Sequence, residues 1–245
     1  MKNNQPQSLY LAQEMFISNM SDIKPLGFDL MLCGGTALAR AYLHHRISYD
    51  LDFFVDGQFG PDRLAVALGK LGIKLDNVQI ESGGRFVHQL VGFSPLGDVR
   101  LKVSFIEDSY AGMFPRMPMS FGQTLFMTES IEGLYHRKLR TVSGSGNGDK
   151  PTDGRQVARD LFDLFMLDRM VHKIPVFVQE INQNGANFPA KAFVAGLAAM
   201  PWINMMDEFA QMEFDATNPH LTNVNPLNMM VMVRARMQEV FKEMA

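Results

Sequence analysis

Asp50 and Asp52 flank Leu51 at the start of an apolar run, LDFFV, and Gly34-Gly35-Thr36 precedes them in the stretch LCGGTALARAYLHHRISYDLDFFV. On a strand, residues two apart share a face, so this spacing sends both carboxylates one way and Leu51 the other. Neighbouring carboxylates repel one another unless a cation lies against them. Magnesium suits that place, since it takes one or two carboxylates together with phosphate oxygens and water. A diglycine turn lets the backbone come close to a ligand, and the N–H groups of the helical turn that follows favour an anion. Thr36 can cap that helix or offer its hydroxyl to a phosphate. A phosphate cradle beside a cation-binding pair is the chemistry of a nucleotide site. Taken alone, the triplet reads equally as a turn and cap, because it lacks the Lys-Ser or Lys-Thr of a Walker loop and is too short for a dinucleotide fingerprint. A blander reading of the aspartates, as solvated groups or partners of Arg46, stands beside this one.

The elements around these residues must bring them together. FDLMLC (28–33) reads as a buried strand ending at the glycines, ALARAYL as a helix, and LDFFV (51–55) as a second strand. Residues 36–43 as helix run about 12 Å outward. HHRISY can span roughly 20 Å when extended, enough to return the aspartates beside Gly34-Gly35. Before them, SLYLAQEMFISNM predicts an opening helix. After them, GPDRLAVALGKLG predicts a helix with Pro61 near its start and Gly72 just past its end. IKLDNVQI, RFVHQLVGF and VRLKVSFIE predict three strands, the last two forming a hairpin through SPLGD. From Ser130 onward strand signals fade. SIEGLYHRKLRTV predicts a helix capped by Ser130, SGSGNGDKPTDG (143–154) a flexible loop, RQVARDLFDLFMLDRM a helix, and Asn225-Pro226 the start of a last helix reaching about Met244. The pattern predicts an α+β domain over residues 1–128 and a helical one over 129–245.

Composition narrows the field. The chain has 245 residues, 47% hydrophobic and 20% charged, which is ordinary for a globular protein. A net charge of −3 argues against a bulk polybasic nucleic-acid binder but not against a local patch. Such a patch exists between residues 136 and 160. There Arg137, Lys138, Arg140, Lys150, Arg155 and Arg159 outnumber Asp149, Asp153 and Asp160. One cysteine, Cys33, excludes an internal disulfide and fits a reducing compartment, as a small packed residue rather than a nucleophile. The first residues lack the layout of a signal peptide, and Ala192–Met206 is too short to span a membrane, so a soluble cytoplasmic protein is expected. The adjacent His44 and His45 are not at ligand spacing on a helix face, which argues against a metal site there.

The stretch GGTALARAYLHHRISYDLDFF resembles the first motif of the AbiEii/AbiGii toxin-type nucleotidyltransferases, within the DNA polymerase β-like superfamily. SIEGLYHRKLRTV and RQVARDLFDLF resemble that family's later lysine and Arg-Asp-x-x-Asp-Leu helices, in the same order and at similar spacing. The resemblance covers about residues 28–167. It implies a polymerase β-like fold with a mixed sheet followed by helices, and transfer of a nucleotide from an NTP to an acceptor hydroxyl. It implies catalytic roles for Asp50, Asp52, Lys138 and Asp160, with Asp50 and Asp52 also the ligands of Mg2+ or Mn2+. Lys138 would neutralise the triphosphate or the leaving pyrophosphate, and Asp160 would accept the hydroxyl proton or position Lys138. Gly34, Gly35, Thr36, Arg46, Ser48 and Asp163 fall to nucleotide binding, Arg46 and Ser48 by bracing the aspartates. The implied partners are an NTP, an acceptor such as tRNA or another RNA, and a cognate antitoxin protein, with no membrane. Where the superfamily often places a third metal-site acid, VRLKVSFIED has Lys102 and Ser104, with Glu107 and Asp108 near the strand end. That departure leaves open a small-molecule nucleotidyltransferase of the antibiotic-modifying kind and a non-catalytic nucleotide-binding relative. For Lys138, Asp160 and Asp163, spacing alone favours a solvated lysine and carboxylates paired with Arg155 or Arg159, and the match of three ordered motifs is what points to the site.

Overall fold

The computed structural model describes residues 5–81, 88–143, 157–221 and 223–245. They divide into two compact units. The first comprises residues up to Leu43 together with Ile47–Gly133, and the second comprises His44–Arg46 together with Leu134–Ala245.

In the first unit, α1 (Gln5–Met20) precedes β1 (Leu30–Cys33). A short helical turn, α2 (Gly34–Ala37), then runs straight into a wider π-type turn, Leu38–Leu43. β2 (Leu51–Val55), α3 (Pro61–Lys70), β3 (Asp76–Glu81), β4 (Gln89–Leu96), β5 (Val99–Glu107), β6 (Arg116–Phe121) and β7 (Thr124–Glu129) follow. The seven strands form one mixed sheet in the order β3-β4-β5-β2-β1-β7-β6. β2 alternates as its sequence requires: Leu51, Phe53 and Val55 are buried while Asp52 and Phe54 are half-buried on the opposite face. β1 is buried throughout, as a central strand must be. On the apolar face Phe53 meets Phe16 of α1 at 5.9 Å between ring centroids, Phe105 at 5.3 Å and Phe126 at 5.7 Å. Each fully buried phenylalanine contributes about 1.5–3 kcal/mol. This cluster fixes the face of β2 on which the aspartates cannot lie.

The predicted hairpin is the β4–β5 pair, turning at Gly97 with φ +59°. α3 starts at Pro61 and is followed by Gly72 at φ +72°. The β6–β7 hairpin has no counterpart in the sequence reading. It turns on two residues, Gly122 and Gln123, with Gly122 at φ +58°, which a glycine adopts without strain.

The second unit is helical. α4 (Ile131–Ser143) enters it, followed by α5 (Ala158–Met170), α6 (Ile174–Gln183), α7 (Ala190–Ala198), α8 (Met206–Ala210) and α9 (Pro226–Met244). Ser130 Oγ accepts the Gly133 N–H at the start of α4, and the Asn225 side chain accepts the Leu227 and Asn228 N–H groups at the start of α9. Ala158 and every residue from Asp160 to Asp168 on α5 are buried, so this helix is central to the unit. Three of those residues are aspartates, and a buried carboxylate needs partners. Asp168 is held by Arg236 of α9 at 2.9 and 3.0 Å, by Lys173 at 3.1 Å and by the Ile174 N–H at 2.9 Å. Residues 144–154 of the predicted glycine-rich loop, with Arg155, lie outside the described residues. No helix among the described residues is long and apolar enough to cross a membrane.

Candidate active site

The antiparallel pairing of β1 with β2 brings the glycine turn and the aspartates together. Cys33, the last residue of β1, pairs with Asp52 near the start of β2, so the chain leaves β1 where it re-enters the sheet. Gly34 has φ +67°, and a β-carbon there would run into the Asp52 carboxylate. Thr36 is buried, and its hydroxyl donates to the backbone carbonyl of Asp50. That hydroxyl therefore binds the turn to the aspartate segment rather than capping the helix. Ser48 is buried, and its carbonyl accepts from Gln13 Nε2 at 2.7 Å. Gly34, Thr36, Asp50 and Asp52 thus form one assembly at the end of β1 and the start of β2.

Alanine at position 34 would meet two obstacles. A left-handed backbone costs an L residue about 1–2 kcal/mol, and the methyl would displace Asp52. Gly34→Ala is therefore expected to lower the urea midpoint by at least that equivalent and to reduce nucleotide transfer further than stability alone accounts for. A variant with wild-type midpoint and rate would show that the close approach has no role.

β5 lies parallel to β2 with Asp52 opposite Ser104. Lys102 reaches Asp50, with Nζ 3.7 Å from Oδ2, and both side chains are partly exposed. Such a pair contributes little to stability, roughly 0–1 kcal/mol, but offsets the repulsion between the two carboxylates. Glu107 is opposite Val55, about 10 Å along the sheet from Asp52 at strand spacing. Its carboxylate accepts the His88 N–H at 3.0 Å, while Asp108 accepts the Tyr110 N–H at 2.9 Å. Among the described residues no group of three or more His, Cys, Asp or Glu side chains is placed to hold a metal ion. Asp50 and Asp52 are the carboxylates that could hold a single magnesium ion, whose other ligands would come from a triphosphate and water.

In the second unit the remaining candidates form a buried ionic cluster. Asp163 of α5 receives four donors. Oδ1 accepts from His45 Nε2 and Arg46 Nε, each at 2.7 Å, and Oδ2 from Arg46 Nη2 at 2.8 Å and Lys138 Nζ at 2.7 Å. Lys138 also holds Asp160 Oδ1 at 2.6 Å. Burial works to raise the Asp163 carboxyl, but Arg46, Lys138 and the hydrogen bonds from Arg46 and His45 overcome it and hold the group well below the ordinary carboxylate range. Arg46 is buried with its guanidinium forked on Asp163. The segment carrying His45 and Arg46 begins at His44, whose φ of +46° ends the wide helical turn. Adjacent spacing argues against His44 and His45 as metal ligands and leaves His45 without a local partner in the sequence. Its position before Arg46 was the only signal, and its partner lies 118 residues away.

A sequence profile described as nucleotidyl transferase AbiEii toxin, type IV TA system, matches residues 21–219. No curated protein is significantly similar in sequence. Among solved structures, the chain resembles JHP933 from Helicobacter pylori, with TM-score 0.56 and 16% identity over 99% of this chain and 94% of that one. It also resembles a second H. pylori protein, provisionally described as a nucleotidyltransferase, with TM-score 0.53 and 17% identity over 97% and 96%. At these identities the two structures speak for the fold.

Proposed function

The chain belongs to the AbiEii family of nucleotidyltransferase toxins, and on that premise we propose magnesium-dependent transfer of a nucleotide from an NTP to an RNA hydroxyl, with tRNA the favoured class. The family is that of type IV toxin–antitoxin systems, which implies a nucleotide substrate and an antitoxin partner. The observation that carries the reading is the assembly of Gly34, Thr36, Asp50 and Asp52 at one end of β1 and β2. Asp50 and Asp52 would hold magnesium, or manganese, together with triphosphate oxygens. When bound, that ion supplies Lewis-acid stabilisation of charge on the phosphoryl oxygens. The Gly35 and Thr36 N–H groups are assigned to a phosphate, and the glycines keep that approach clear of side chains. Lys138 is assigned to charge on the triphosphate or pyrophosphate, and Asp160, its partner, to the proton of the attacking hydroxyl or to holding Lys138 in place. Gln13 holds the Ser48 carbonyl on the backbone leading to Asp50, and Arg46 fixes Asp163. The exposed Arg159 and the half-buried Arg137 and Arg140 support an RNA acceptor.

The test is to incubate the protein with each labelled NTP, magnesium and total RNA, alongside Lys138→Ala and a chelator control. Label on RNA that disappears in both controls is the expected result. Label on small molecules with blank RNA would reassign the acceptor, and transfer that survives chelation would remove the metal.

A further inference from the structure

His45 is fully buried and faces two kinds of neighbour. Its Nε2 lies 2.7 Å from Asp163 Oδ1, so a carboxylate accepts there and Nε2 carries the hydrogen. Its ring lies against Phe162, 5.3 Å between centroids, and Phe162 in turn contacts Phe214 at 5.2 Å. Nδ1 is buried and has no hydrogen-bond partner among the described residues. A second ring proton would therefore point at nothing that accepts it, and the imidazole is confined to its neutral Nε2–H form. The charged groups facing it are Asp163, Arg46 and Lys138, with Asp160 beyond Lys138. Burial, named first, and the two cations disfavour the imidazolium, while Asp163 favours it.

Among the charged groups around His45, two carboxylates, Asp160 and Asp163, face two cations, Arg46 and Lys138, and an imidazolium would add a third cation. Asp163 has about four acceptor positions, and Arg46 fills two while Lys138 fills one. A cation in the fourth position would compete with Lys138 for the carboxylate, and an apolar group would leave the carboxylate free to turn. A neutral N–H donor does neither.

We infer that His45 is a positioning residue for the transfer reaction: as an uncharged donor it saturates Asp163 and so keeps the Lys138 ammonium shared between Asp163 and Asp160. The inference rests on the proposed role of Lys138. It assigns a reaction-related task to a histidine that touches no substrate.

Two measurements test it. In long-range 15N–1H spectra of the intact protein, the ring signals that vanish in His45→Gln are expected to show the Nε2–H tautomer with no titration between about pH 5.5 and 8, the span in which an unperturbed histidine titrates. An Nδ1–H tautomer, or titration in that span, overturns the inference without recourse to activity. In the RNA-labelling assay, His45→Leu is expected to lower kcat by roughly tenfold to a hundredfold, the scale of a misplaced catalytic group, with KM for the NTP little changed. His45→Gln, whose amide can replace the Nε2–H donor, is expected to recover most of that loss. A wild-type kcat in His45→Leu beside an inactive Lys138→Ala overturns the inference alone. So does a His45→Gln that is no better than His45→Leu while both melt like the wild type. A fully active Lys138→Ala overturns the catalytic reading and the inference with it.

Discussion

Asp163→Ala is expected to destabilise the second unit by about 3–5 kcal/mol, the scale of breaking a buried ion pair from one side. The magnitude follows from what the carboxylate holds. Four hydrogen-bond donors converge on it, two of them from the Arg46 guanidinium and one from the Lys138 ammonium. Removing it leaves Arg46 without its fork and Lys138 with Asp160 as its remaining carboxylate from the cluster, both in a buried setting. Asp163→Asn keeps the shape but turns an amide NH2 toward groups that are themselves donors, so it is expected to recover little. The accompanying fall in Tm is roughly 10 °C, at about 2–4 °C per kcal/mol for a chain of this size. The pH dependence has a definite sign. Because the folded Asp163 carboxyl is held well below its ordinary value, its contribution is fully present above the unfolded value, near pH 4, and is lost as pH falls through the folded one. Wild-type Tm should therefore decline toward acid more steeply than that of Asp163→Ala, measured by circular dichroism from about pH 2 to 6. Parallel acid limbs, or a variant melting with the wild type, would show that the cluster does not carry this stability.

That cluster also shows where the sequence stops being readable. β2 was legible because its period of two separates Leu51, Phe53 and Val55 from Asp52 and Phe54 within five residues. α9 was legible because Asn225 caps it through the N–H groups two and three residues on. Local chemistry of this kind needs no knowledge of the fold. β6 and β7 were not legible. β6 reads RMPMSF, with a proline at its centre and methionines in place of β-branched residues. Its place at the sheet edge makes Pro118 tolerable, and edge position is a property of topology. The Gly122-Gln123 turn was the available signal. Thr36 shows a finer failure. Its type suits a cap, but its hydroxyl goes to the Asp50 carbonyl because antiparallel pairing returns the chain to that spot. Lys102 beside Asp50 depends on the parallel register of β2 with β5, which no local pattern encodes. The motifs located Arg46, Lys138, Asp160 and Asp163 along the chain. Only the packing of α5 reveals that they form one buried ionic cluster, which His45 joins through Asp163.

Asp52→Asn is expected to reduce nucleotide transfer by about a thousandfold while leaving the fold intact. The amide has nearly the shape of the carboxylate, so its fit against Gly34 is retained, and the pairing of β1 with β2 is set by backbone hydrogen bonds and the phenylalanine cluster. What is lost is negative charge beside the glycine turn, two residues along the chain from Asp50. With Asp50 partly offset by Lys102, removal of Asp52 leaves little net attraction for a divalent ion. The protein's share of a bound ion's effect on phosphoryl transfer is several kcal/mol, and each 1.4 kcal/mol is about tenfold in rate, which gives the expected scale. Stability should change little, because the amide keeps the shape that fits against Gly34. Lys102→Gln separates the two effects. With the lysine neutralised, Asp50 and Asp52 should bind magnesium more tightly, so half-maximal transfer shifts to lower magnesium, whereas in Asp52→Asn it shifts to higher magnesium. Transfer rates for the three proteins across a magnesium series, with Tm measured in parallel, decide the matter. An Asp52→Asn enzyme within about tenfold of wild type would mean that the paired carboxylates serve the sheet rather than the phosphoryl group.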